Sequence, residues 1–162
     1  MITCTFENER VASPGLRHVT VNAIIIKDNQ VLLGLRTPVK DLTMLEVNKW
    51  ALIGGFFDRD ENLKSAVKRE VMEESGWEVD DIQLFRINDN PNRPKEDRQN
   101  VDMIFTAKAI KQVDKPDEEV KELKWFPLDS LPDSGEIAFD HGEDLILYKQ
   151  YLDGKIDIPK LG

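Results

Sequence analysis

Residues 54–77 constrain this chain more tightly than any other stretch. Gly54-Gly55 ends the apolar run Trp50-Ala51-Leu52-Ile53, and Leu63, Ala66, Val67 and Val71 then recur at helical spacing before Gly76, where a C-terminal glycine stops a helix. The spacing predicts a helix over residues 60–75, with Asp58 and Glu61 three apart as a capping box at its start. On a wheel advancing about 100° per residue with Glu70 at zero, Leu63 falls near ~20°, Ala66 near ~320°, Val67 near ~60° and Val71 near ~100°. Glu74 falls near ~40° and Glu73 near ~300°, whereas a solvated acidic face would lie near ~200°, where Ser65 and Met72 stand. Three carboxylates therefore follow the apolar stripe toward the body of the protein.

Like charges within one helical turn, partly desolvated, raise one another's pKa and oppose ionisation unless cations are supplied. Hard divalent ions such as Mg²⁺ prefer oxygen ligands and meet that need. Two readings stand open on the wheel alone: a metal site, or an acidic cluster near a helix end in which Arg69 pairs with Glu73 one turn on.

The flanking sequence supplies a sheet. Val19 to Ile26 is rich in β-branched residues, Lys27-Asp28-Asn29-Gln30 supplies a turn, and Val31 to Leu35 resumes the apolar run up to Arg36, which reads as a hairpin. Residues 37–49 read as a loop. Further strands are expected at Ile82 to Ile87, Met103 to Ile110 and Leu123 to Phe126. Asn88 to Arg98 is polar and turn-prone and reads as a surface loop. Asp140 to Leu152 is expected to form an amphipathic helix with Leu145, Ile146, Tyr148 and Leu152 as its apolar members. No repeat or linker divides the chain, so 162 residues read as one domain, with about residues 1–16 as an N-terminal extension.

Composition narrows the function classes. Asp and Glu total 31 against 22 Lys and Arg, a net charge of -9, and such a surface repels nucleic-acid backbones and anionic lipid. Neither nucleic acid nor membrane is therefore an expected partner. An anionic small molecule must be met by local positive charge or a metal. Cys4 is the single cysteine, which rules out an intramolecular disulfide and a thiolate metal site. With no signal peptide or membrane span in evidence, the expected location is cytoplasmic.

Gly55, Glu61, Arg69, Glu70, Val71, Glu73, Glu74, Gly76 and Trp77 satisfy the pattern G-x5-E-x7-R-E-U-x-E-E-x-G-U, where U is a bulky apolar residue. This 23-residue pattern resembles the signature of the Nudix hydrolases, with Trp77 larger than the usual residue and Ile53 in place of a proline often found before the glycines. The likeness extends from about His18 to Tyr151. It implies an α/β/α sandwich with a mixed β-sheet, and hydrolysis of a nucleoside diphosphate linked to another moiety. By the same resemblance Glu70, Glu73 and Glu74, joined by the carbonyl of Gly54, would hold Mg²⁺ or Mn²⁺. Gly55, Glu61, Arg69 and Gly76 would steady the loop and helix. Glu119, on a later loop with Glu118, is expected as a further ligand or general base, against the alternative of an ordinary acidic turn.

Arg36 stands where relatives often place a phosphate-contacting arginine; a plain surface arginine is the alternative. Trp50 reads as a core aromatic more readily than as a base-stacking one. Asn88 to Asp102 is similar to a loop of the ADP-ribose pyrophosphatase branch, and there Arg93 and Arg98 either close on the diphosphate or remain solvated. Ala138-Phe139-Asp140-His141 also recurs in that branch. His141 reads as a structural or cap-neighbouring residue and is not counted as catalytic. His18 has no partner visible in the sequence.

The resemblance favours ADP-ribose or a related nucleoside diphosphate sugar as substrate. Nucleoside triphosphate cleansing is the runner-up, and a non-catalytic nucleotide sensor is disfavoured because every box carboxylate is present. RNA-end hydrolysis is disfavoured by the negative charge. Many relatives dimerise, so a homodimer stays open.

Overall fold

The computed structural model describes residues 17–38, 45–93 and 100–162. Cys4, Arg98 and the N-terminal extension lie outside the described residues.

Two strands, β1 (Val19–Lys27) and β2 (Gln30–Arg36), form the expected hairpin, and Asp28 and Asn29 both take positive φ in the turn. Such a left-handed pair matches the twist of the flanking strands, and short polar side chains tolerate it best. Next come β3 (Trp50–Ala51), β4 (Ile53–Phe56), helix α1 (Leu63–Ser75), β5 (Trp77–Asn88), β6 (Val101–Gln112), β7 (Val120–Pro127), helix α2 (His141–Leu152) and β8 (Lys160–Leu161). The sheet runs β3-β2-β1-β6-β5-β8, with β4 paired to β1 and β7 to β2. It is mixed: β1 runs parallel to β6 and β5 to β8, while the remaining pairings are antiparallel. One edge of β1 changes partner along its length, from β4 at Thr20–Ala23 to β2 at Ile25–Lys27.

A helix covers each face. Val21, Ala23 and Ile25 of β1 pack with Ala66, Val67 and Val71 of α1, while Ile24 packs with Leu145, Leu147 and Tyr148 of α2. Successive strand side chains point to opposite faces, so a strand buried on both sides reads as a nearly continuous apolar run, as β1 does apart from Thr20 and Asn22. The observed layers are those of the expected α/β/α sandwich.

Several expectations need correction. Helix α1 begins at Leu63, and its N-cap is Asn62, whose side-chain oxygen accepts the Ser65 N–H at 3.1 Å. The Asp58–Glu61 pair lies outside the helix, where the Glu61 carboxylate accepts the Asp58 N–H at 2.9 Å and closes the preceding turn. Strands β5, β6 and β7 extend beyond their apolar centres because sheet pairing carries polar residues along. In α2, Ile146 and Leu152 are 56% and 53% exposed while Leu147 is buried, which moves the apolar stripe by one position. The Asn88–Arg98 segment is not wholly a surface loop either: Asn88 ends β5 buried, and Arg93 is buried by two carboxylates.

Candidate active site

The glycine pair lies within the β1–β4 pairing, Gly54 opposite Asn22 and Gly55 opposite Val21, where α1 approaches β4. Gly54 has φ 153°, and a Cβ there would collide with the Val21 carbonyl, so the close β1–β4 approach requires glycine. A Cβ on Gly55 would lie 2.7 Å from Glu70 Oε2, so its absence makes room for that carboxylate. At the far end Gly76 caps α1 in the left-handed conformation, its N–H donating to the Met72 carbonyl at 2.8 Å.

Arg69 fastens the loop to the helix. Its guanidinium donates to both Glu61 oxygens at 2.7 and 3.1 Å, to the Phe56 carbonyl at 3.0 Å, to Glu70 Oε1 at 2.8 Å and to Glu73 Oε2 at 3.1 Å. Hydrogen bonding to Arg69 holds the Glu61 carboxyl below the usual carboxylate range.

The three helix carboxylates differ in depth. Glu70 is 9% exposed and Glu74 intermediate, but the Glu73 side chain is 53% exposed, so the apolar stripe carries two of them inward and leaves the third at the rim. Glu74 Oε2 accepts the Gly54 N–H at 3.0 Å. Burial first, then the charges of Glu70, Glu119 and Asp117, push the Glu74 carboxyl up to about 8 against the opposing Gly54 hydrogen bond. Burial likewise raises Glu70, although Arg69 opposes it.

A cleft of about 530 Å³ runs past these groups, and Arg36, Gly54, Gly55, Glu70, Glu73, Glu74, Arg93 and Glu119 all border it. Arg36 is partly buried; its Nε donates to the Leu45 carbonyl at 3.1 Å and its guanidinium lies 5.3 Å from the Phe139 ring centre. Desolvation lowers its pKa, and Glu74, Glu119 and Glu46 pull it back. Glu119 stands just before β7, with its carboxyl raised by burial and by Asp117. The loop carrying it is docked on α1 through the Asp117 N–H, which donates to the Glu73 carbonyl at 2.9 Å.

Arg93 donates to both Asp140 oxygens at 2.6 and 2.9 Å and to Asp102 at 3.3 Å. It is therefore an anchored cleft wall and not a free arm. Burial opposes ionisation of Asp140, but its bonds to Arg93 and Asn88 outweigh that and hold it below the usual range. Asp102, raised by burial, also accepts from Thr20 Oγ1 at 3.1 Å and Asn22 Nδ2 at 2.8 Å. Thr20, Asn22, Asp102, Asp117 and Phe139 border the cleft and were missed from sequence. The available signal was a polar residue inside an apolar strand, as Asn22 interrupts the run from Val19 to Ile26.

Among the described residues no three acidic, histidine or cysteine side chains are already gathered to ligate an ion. The donor chemistry nevertheless fits a hard divalent cation. Glu70 and Glu74 present carboxylate oxygens that burial leaves reluctant to ionise without added positive charge, and the salt links of Arg69 leave Glu74 out.

A cleft of this size, walled by reluctant carboxylates on one side and an arginine on another, is the candidate working face of this α/β sandwich. The chain belongs to the NUDIX family, hydrolases of pyrophosphate bonds: the NUDIX domain matches residues 16–145. It is 31% identical over 138 residues to the ADP-ribose pyrophosphatase of Methanocaldococcus jannaschii, covering 84% of this chain and 75% of that protein. It is 32% identical over 112 residues to the NAD-capped RNA hydrolase NudC of Vibrio atlanticus, covering 68% of this chain but 38% of that one. In structure it matches a NUDIX hydrolase from Nitrosomonas europaea with a TM-score of 0.73 and 26% identity, over 90% of this chain and 77% of that one.

Proposed function

We propose that the protein hydrolyses ADP-ribose or a related nucleoside diphosphate sugar to a nucleoside monophosphate and a sugar phosphate. The carrying observation is the juxtaposition of Glu70 and Glu74 with Arg36 in one cleft. Support for the sugar comes from the ADP-ribose pyrophosphatase relative, which matches most of both chains. The net charge of -9 argues against an RNA end.

Glu70, Glu73 and Glu74, with the Gly54 carbonyl, would hold Mg²⁺ or Mn²⁺. When bound, such ions screen the pyrophosphate, stabilise charge on the transferred phosphoryl group and acidify a bound water. Arg36 orients the diphosphate oxygens by charge-assisted hydrogen bonds. Glu119, its pKa raised by burial, accepts the proton of the attacking water as the P–O–P bond breaks. Arg69 is a positioning residue that fixes where the Glu70 carboxylate points. Arg93 supports the opposite wall, and Arg98 remains a proposed substrate contact by resemblance alone.

The test is a hydrolysis panel of ADP-ribose, other diphosphate-linked nucleosides and nucleoside triphosphates with Mg²⁺, products identified in ¹⁸O-labelled water. AMP and ribose 5-phosphate from ADP-ribose are expected. Preferential release of pyrophosphate from triphosphates would move the protein to nucleotide cleansing. Glu74→Gln should retain substrate affinity and lose at least ~100-fold in turnover, since it removes a negative ligand while keeping the shape. Retained turnover would remove Glu74 from the machinery.

A further inference from the structure

The corner of the cleft bordered by Phe139 and His141 is built differently from the rest. Arg36 feels the charges of Glu74 and Glu119 on one side and lies over the Phe139 ring on the other, and the Phe139 ring in turn lies 5.6 Å from that of His141. The order along the wall is thus carboxylates, arginine, aromatic ring, imidazole. Leu52 and Leu45 border the same cleft.

Phe139 holds φ 51°, a left-handed conformation uncommon for a bulky side chain. Main-chain bonds fix it on both sides: the Ala138 N–H donates to the Trp50 carbonyl at 2.8 Å, and the His141 N–H to the Ala138 carbonyl at 3.2 Å. The ring is thereby held between Arg36 and His141.

His141 is 4% exposed, and its Nδ1 accepts the Leu52 main-chain N–H at 3.1 Å. A main-chain amide always donates, so Nδ1 is unprotonated and the proton of the neutral ring sits on Nε2. Burial, Arg36 and Arg93 disfavour a second proton and outweigh Asp140, bringing the group down to about 3. Among the described residues the Leu52 bond is the one hydrogen bond made by this ring, so Nε2–H has no acceptor there while the residue borders the cleft. A structural role would be complete with Nδ1 alone; Nε2–H is a further, uncharged donor at the cleft, open to an acceptor atom of a ligand.

We propose that His141 is a specificity-determining residue whose Nε2–H donates to an acceptor atom of the substrate's nucleobase in the corner formed with Leu52 and Phe139. This rests on reading the cleft as a nucleoside diphosphate site. The carboxylates and Arg36 suit the anionic diphosphate, whereas a neutral donor beside the Phe139 ring and Leu52 suits a flat uncharged heterocycle at the end of the row.

Two substitutions separate the roles of the two ring nitrogens. His141→Asn keeps an acceptor for the Leu52 N–H and places no donor at Nε2; His141→Gln reaches that position with a side-chain N–H. Calorimetry with AMP and with ribose 5-phosphate reads binding without turnover. Expected for His141→Asn are AMP binding weakened about tenfold, ribose 5-phosphate binding unchanged, and on ADP-ribose a KM rise of about tenfold at near-constant kcat. His141→Gln should recover most of the loss.

Unchanged AMP affinity in His141→Asn, a loss falling on ribose 5-phosphate instead, a fall in kcat at constant KM, or no AMP binding by the unaltered protein overturns the proposal. Independently, ¹⁵N spectra of the free protein should show Nε2 protonated and Nδ1 bare between about pH 5 and pH 8, and a ring that titrates in that interval overturns it as well. If the unaltered protein cleaves no nucleoside diphosphate sugar, the reading of the reaction fails, yet the AMP comparison and the ring spectra still decide the role of His141.

Discussion

At the scale of single residues, burial keeps Arg36, Glu70, Glu74, Asp102, Glu119 and His141 in the cleft away from their ordinary ionisation. His141 is the case with a clean consequence for stability. Its pKa falls from 6.5 to about 3 in the folded protein, so the unfolded chain takes up the proton first as pH drops. The stability contributed by a neutral His141 is present above about pH 6.5 and drains away as pH falls toward 3. Between about pH 7.5 and pH 5 the unaltered protein should lose roughly 2 kcal/mol more than His141→Asn, a difference that urea denaturation at the two pH values measures. Equal losses would mean the ring is protonated in the fold. Sequence marked His141 as a structural neighbour of a helix cap, and it does hold the Leu52 N–H. What a residue-by-residue reading lacked is the cleft: nothing local to Ala138-Phe139-Asp140-His141 says that Arg36 at the end of β2 and His141 at the start of α2 share one wall.

At the scale of elements, the first helix was legible because its apolar spacing and stop glycine are local properties. Its start was not, since both Asp58 and Asn62 are good cap residues and only chain geometry chooses between them. Asn62→Ala should therefore cost about 1 kcal/mol, and Asp58→Ala much less, because Asp58 contributes its main-chain N–H to Glu61. Chemical denaturation of the two variants compares them directly, and a larger loss for Asp58→Ala would restore the sequence-based cap. Gly76→Ala should exceed both costs, since it forces a left-handed alanine whose Cβ meets the Asp114 carbonyl. The apolar stripe of α2 was misplaced for a related reason. A short helix laid on a sheet is oriented by the side chains below it, here Phe85, which stacks edge-on with Tyr148 at 5.8 Å, and its own pattern is too brief to decide the angle.

At the scale of the whole molecule, the buried set Arg93, Asp140, Asp102, Asn88, Thr20 and Asn22 ties β1, β5 and β6 to the start of α2 beneath the cleft. Removing the cation leaves two buried carboxylates without compensation, so Arg93→Ala should destabilise by about 3–5 kcal/mol, and the urea midpoint reads it. A surface-arginine loss of under ~0.5 kcal/mol would sink that account. The chain by itself determined the helix with its inward glutamates, the hairpin, the two-faced burial of β1 and the family, because each is written in spacings of a few residues that repeat the period of a helix or strand. Tertiary structure alone decided which of the charged groups meet: that Glu73 stays at the rim, that Arg93 is tied down, and that Arg36, Phe139 and His141 line up along one wall. Ion pairs and cleft walls join residues dozens of positions apart, and their partners are chosen by how the layers pack, which no local period encodes.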